Sequence, residues 1–172
     1  MSPLNPWGRR ERLHVEVAPG ERLLASCRTR DGAVLGGTRA ALYLPTGRVP
    51  WESVQAADWD RESETLRVSE VGDWGAERPI HTFVLDEPGD LLTLVHERVQ
   101  ATLVVQRHAA VTGRLGLRVI ARRAPQLRAR TDEGSVLRWY FEYDEGLDPD
   151  DPEVRRVAQA ALRAARSDVG DL

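Results

Sequence analysis

Between Leu13 and Leu85 the apolar residues recur mostly at every second position, in short runs separated by turn residues. That is the spacing of half-buried β-strands. Leu13, Val15 and Val17 share one face of a first expected strand ending at Pro19-Gly20, and a second is expected over Glu21–Arg30. Asp31-Gly32 reads as a type I′ hairpin turn, because both central positions of that turn need positive φ and this pair tolerates it. Ala33–Gly36 then pairs back, Gly36-Gly37-Thr38 turns again, and Arg39–Leu44 runs to Pro45. Further strands are expected over Ser53–Trp59, Thr65–Ser69 and Ile80–Leu85, with Gly72–Pro79 as a loop. Every connection is short enough for an antiparallel meander.

Past Pro88-Gly89 the period becomes helical: Leu92, Val95, Val99 and Leu103 recur at three and four residues. A helix over Leu91–His108 with Asp90 as N-cap is predicted, about 27 Å long and able to cover the open end of a small barrel. Gly113 and Gly116 break it, and a second β unit begins, with Leu115, Leu117, Val119 and Ala121 on one face and Arg118 and Arg122 on the other. Asp132–Ser135 reads as a turn, after which Leu137, Trp139, Phe141 and Tyr143 share a face of the strand Val136–Tyr143. The last element is a helix with Asp151 as N-cap, Pro152 at its first position and Glu153 in its first turn. Val154, Val157, Ala158, Ala161, Leu162 and Ala165 form its apolar stripe, and Gly170 follows it.

The pattern predicts an α+β protein in three parts. Residues 1–11 form an arm around Trp7, 12–110 an antiparallel β-barrel or sandwich closed by one helix, and 113–172 a small β-sheet with an amphipathic helix. Composition adds bounds. At 172 residues, 41% hydrophobic and 30% charged, the chain has enough apolar material for a packed core. No stretch has the roughly 18 consecutive apolar residues of a membrane helix, and the start has no apolar signal-peptide core, so the expected compartment is the cytoplasm. The single cysteine, Cys27, lies in a strand-like run and is expected to be a buried, inert thiol. All 24 basic residues are arginine, and Asn and Ile are scarce. This is the codon usage of a high-GC genome such as an actinobacterium's, and it lowers the functional weight of any one arginine. A net charge of −3 gives no overall attraction to nucleic acid or anionic lipid, so such binding needs a local patch.

Several chemistries approach a motif and fail it. Gly32–Thr38 has the glycines of a phosphate-binding P-loop, but that loop needs Lys directly before its Ser or Thr, and it opens a helix rather than a hairpin. His96-Glu97-Arg98-Val99-Gln100 misses a zinc-protease HExxH at Gln100, and His14, His81 and His108 are scattered. The acids from Asp144 to Glu153 are interrupted by Pro149 and Pro152 where a calcium loop needs ligands, so capping and a solvated acidic loop account for them. No Gly-x-Ser-x-Gly elbow exposes a nucleophile. No catalytic residue, metal or cofactor is therefore expected.

Two surface features remain. Seven arginines lie between Arg114 and Arg138 against Asp132 and Glu133, and Arg118, Arg122, Arg128, Arg130 and Arg138 can form a basic strand face near Tyr140 that holds phosphates. The sequence favours a solvated face over a nucleic-acid site. Trp7 and Trp74 are expected in loops, where tryptophan can anchor a partner or cover a barrel edge.

Thr38-Arg39-Ala40-Ala41-Leu42-Tyr43-Leu44, then Arg48-Val49-Pro50-Trp51-Glu52-Ser53-Val54, then Trp59-Asp60 and Leu66-Arg67-Val68 resemble the bacterial PH-like (pleckstrin-homology-like) family. There a "T-x-R" strand is followed by a turn and an "R-[IV]-P-[WY]-x-x-[IV]" strand. The resemblance covers about residues 12–110 and implies a barrel closed by one helix, no enzymatic activity, and a role in protein association, self-assembly or the cell envelope. In phosphoinositide-binding PH domains basic residues flank the first hairpin. Here Arg28 and Arg30 precede Asp31-Gly32 but no lysine follows, so a lipid headgroup is not expected. The leading expectation is a non-enzymatic PH-like association module. An anion-binding face and an enzyme with an unrecognised site stand second and third.

Overall fold

The computed structural model of the chain describes residues 13–72, 78–125 and 137–169. The described residues form an α+β arrangement of three antiparallel sheets and two helices, and these sheets do not close into a barrel. Strands β1 (Ala25–Arg28), β2 (Val34–Gly37), β3 (Ala41–Leu44) and β4 (Gly47–Pro50) form a four-stranded meander. A single 3-10 turn, Trp51–Ser53, leads to the three-stranded meander of β5 (Val54–Asp60), β6 (Thr65–Glu70) and β7 (Ile80–Val84). The backbones of the two sheets are bridged at one corner, where Thr29 pairs with Leu85 and the Arg30 N–H donates to the Val84 carbonyl.

Helix α1 (Asp90–Thr102) packs over both sheets and buries Leu91, Leu94, Val95 and Val99 against Leu35, Leu42, Trp51, Val54, Leu66 and Val68. The glycine pair in β2 makes room for this layering. A Cβ on Gly37 would stand 2.5 Å from Leu94 Cδ2, and one on Gly36 2.7 Å from Leu23 Cδ1. These two glycines thus serve close packing on opposite faces of β2.

The residues that carry the family resemblance hold one another. Thr38 is buried; its hydroxyl accepts from the Ala40 and Ala41 N–H groups at 3.1 Å, which fixes the β2–β3 turn, and donates to Glu21. Its carbonyl accepts the indole N–H of the fully buried Trp51 at 3.0 Å. Arg48 closes the group with two donors onto Glu21, at 2.6 and 3.0 Å. Burial opposes the charge on Glu21, but the Thr38 hydroxyl and Arg48 outweigh it and hold the carboxyl below its ordinary value.

After α1 the chain enters β8 (Leu103–Thr112) with no loop, then β9 (Leu115–Arg122) and β10 (Arg138–Tyr143), a third sheet in the order β10-β9-β8. Helix α2 (Pro152–Val169) lies on one face of it and buries Val154, Ala158, Ala161 and Ala165 against Leu117 and Val119, with Trp139, Phe141 and Tyr143 beside them. Asp151 caps α2 as expected, its carboxylate accepting the N–H groups of Glu153 at 2.7 Å and Val154 at 3.3 Å.

Five local expectations are corrected. Leu13–Val17 is not a strand; it keeps the expected alternation of burial but enters no ladder, and the next strand shrinks from Glu21–Arg30 to Ala25–Arg28. The Asp31-Gly32 hairpin is a three-residue loop closed by Thr29 N–H to the Ala33 carbonyl. Gly32 alone has positive φ, so the turn is not type I′. The first helix ends at Thr102, not His108, because Val105, Ala109 and Val111 answer a period of two and pack in the second core. Gly89, not Asp90, is its N-cap, at φ 50° and ψ −135°, with Asp90 in the first turn. Residues 110–113 lie in the β8–β9 hairpin.

Candidate functional site

One face of the third sheet is apolar and carries α2; the other carries the side chains of Arg118, Ile120 and Arg122 from β9 and Arg138, Tyr140 and Glu142 from β10. Alternation along each strand puts them there, and the antiparallel register sets Arg118 opposite Glu142 and Arg122 opposite Arg138. This polar face meets the start of β5 and the end of α1, making a seam between the two cores.

Arg122 is the centre of the seam. It was expected on an exposed basic face, yet it is only 6% exposed. Its Nε donates to the Tyr140 hydroxyl at 2.8 Å, Nη1 to the Val99 carbonyl at 2.7 Å and the Thr102 hydroxyl at 2.8 Å, and Nη2 to the Gln55 carbonyl at 2.9 Å. Two of these acceptors belong to the last turn of α1, where the helix dipole favours a cation and the final carbonyls lack partners within the helix. The charge is therefore met by carbonyls and hydroxyls rather than by a carboxylate. Burial raises Tyr140 above the ordinary phenol value against the pull of Arg122, so the phenol keeps its proton.

Arg118 faces solvent and is paired to Glu142, Nε to Oε2 at 3.1 Å. Arg138 is exposed and donates to the Ser53 hydroxyl at 2.8 Å. Arg78, which the sequence did not single out, donates to Gln55 Oε1 at 2.9 Å, and the Gln55 amide donates on to Glu142. Trp7, Trp74, Arg128 and Arg130 lie outside the described residues. Of the five arginines expected to share a face, the structure brings Arg118, Arg122 and Arg138 together. It adds Gln55 from β5, Ser53 from the turn before it and Arg78 from the segment before β7, and no local signal pointed to these.

Beside the seam is a cleft of about 340 Å³ bounded by Gln55, Asp58, His96, Gln100, Arg118 and Glu142. A second cleft, of about 400 Å³, runs past Cys27 between Leu24, Asp86 and Asp90. Cys27 is buried as expected, and burial pushes its thiol up, which favours the protonated form. His81 is held between Glu70 Oε1 at 2.7 Å and Thr46 Oγ1 at 3.4 Å, while His96 and His108 are exposed on separate elements. Among the described residues no three His, Cys, Asp or Glu side chains gather to hold a metal ion, and no helix is long and apolar enough to cross a membrane. No family model, curated protein or solved structure matches the chain.

Proposed function

We propose that the chain is a non-enzymatic PH-like association module that docks a protein partner, or a second copy, along the outer edge of β7. The order of elements supports the PH-like part: a four-stranded meander, a three-stranded meander and one helix packed over both. The edge of β7 carries the association part. Leu85 N–H and the Pro79 carbonyl turn toward β6, so Ile80, Thr82 and Val84 turn their backbone groups outward. Among the described residues only the Val84 end of this edge is engaged, its carbonyl accepting the Arg30 N–H just past β1. Ile80 and Val84, 49% and 36% exposed, share one face of this edge, and such a strand accepts another by β-addition.

Affinity capture on the whole chain, with mass readout of co-purifying protein, lipid and nucleic acid, tests the reading. A protein or second copy retained by the native chain and lost from Ile80→Asp, with the fold intact by circular dichroism, is the expected result. Retention of the same protein by Ile80→Asp, or recovery of nucleic acid or lipid alone, would overturn it. The second reading, an anion-binding face of Arg118, Arg122, Arg128, Arg130 and Arg138, draws support from Arg138. Arg118 is already paired, and Arg122 is buried.

A further inference from the structure

Three guanidinium groups converge on a stretch of three residues at the start of β5. Arg138 donates to Ser53, Arg122 to the Gln55 carbonyl and Arg78 to the Gln55 side chain, at 2.8, 2.9 and 2.9 Å. Ser53 and Gln55 are two residues apart, within about 7 Å along the chain, so the three contacts fall on one short stretch. Glu142 is the carboxylate bonded into this network, and it is paired to Arg118. Neighbouring Glu52 makes no bond to any of the three among the described residues. Arg122 and Arg138 also stand directly opposite each other across β9 and β10, a like-charge pairing that opposes the sheet.

Arginine-rich codon usage explains why arginines are frequent; it does not explain three of them meeting around one carboxylate, Glu142, that is already paired to Arg118. Each exposed guanidinium has five N–H donors and uses one in the contacts described, leaving planar forks of the kind that grip tetrahedral oxyanions in bidentate fashion. The Tyr140 hydroxyl accepts from Arg122, and its own proton has no acceptor among the described residues. Arg78 lies close enough for its charge to act on that phenol.

We propose that this seam is a phosphate site: Arg78 and Arg138 hold a phosphate monoester over Ser53 and Gln55, with Tyr140 as a further donor and Arg122 as the buried charge behind it. The site is separate from the β7 edge, so it stands or falls independently of the association reading. Its position, joining the second and third sheets, makes phosphate occupancy stiffen the contact between the two cores.

The test uses the full chain in low salt, with inorganic phosphate as probe and arginine Nε–Hε nuclear magnetic resonance signals as readout. Saturable shifts of Arg78 and Arg138 are expected, with binding weakened at least about tenfold in Arg138→Gln and in Arg78→Gln, and unchanged in the control Arg163→Gln on α2. A parallel arm uses phosphatidylcholine vesicles with and without phosphatidic acid, which separates a free phosphate from a membrane headgroup. Binding in either arm that both seam variants weaken supports the site and identifies the source. Absence of saturable binding in both arms, or binding that Arg138→Gln and Arg78→Gln leave unchanged, overturns the proposal.

Discussion

At the scale of single residues, the weight of the fold falls on a few polar side chains that the core cannot spare. Arg122 supplies four hydrogen bonds to buried or half-buried acceptors between α1, β5 and β10. Arg122→Met is expected to cost about 3 kcal/mol in urea unfolding, because it strands buried carbonyls. Arg122→Lys should recover little of that loss, since one ammonium cannot span acceptors spread around a planar fork. Glu21 predicts an acid limb. Its folded pKa is held below the unfolded value of about 4.3, so its contribution is full above that value and lost as pH falls through the lower folded one. Urea midpoints should therefore fall below about pH 4 in the native chain, and less steeply in Glu21→Gln. The sequence pointed to Thr38 and Trp51 through their motif. It did not point to Glu21, whose role depends on a turn packed back from 17 residues away.

At the scale of elements, helix α2 was legible to within a residue because its signals are local: Asp151, Pro152 and Glu153 open it, and its apolar stripe has one period. Asp151→Ala is expected to cost about 1 kcal/mol, with amide exchange in the first turn of α2 rising ahead of the rest. The end of α1 was not legible, because Leu103-Val104-Val105 satisfies both periods and only pairing with β9 decides between them. Arg122 then closes the helix end that the sequence left without a glycine or proline stop. The β1–β2 hairpin was placed correctly and typed wrongly for a related reason: Asp31-Gly32 fits two loops, and the strand register selects the longer.

At the scale of the whole molecule, two apolar cores are joined by a polar seam and by one uninterrupted passage from α1 into β8. Trp51 belongs to the first core alone, and Trp51→Ala should cost about 3–5 kcal/mol there. Hydrogen exchange should then speed across β1–β7 and α1 while α2 keeps most of its protection. Equal loss of protection in α2 would mean that the seam makes the two cores one cooperative unit.

Much of this architecture was set by the sequence alone, because alternation, helical spacing, turn residues and the cap of α2 act over a few residues and survive any tertiary context. The tertiary structure decided what the arginines do. Whether a guanidinium faces water, pairs with a carboxylate or is buried against carbonyls depends on which groups arrive beside it. Here those groups come from 18 to 67 residues away for Arg122 and 85 for Arg138. A strand pattern can assign arginines to one face. Only packing against a second sheet could bury Arg122, pair Arg118 and gather Arg78 and Arg138 around Ser53 and Gln55.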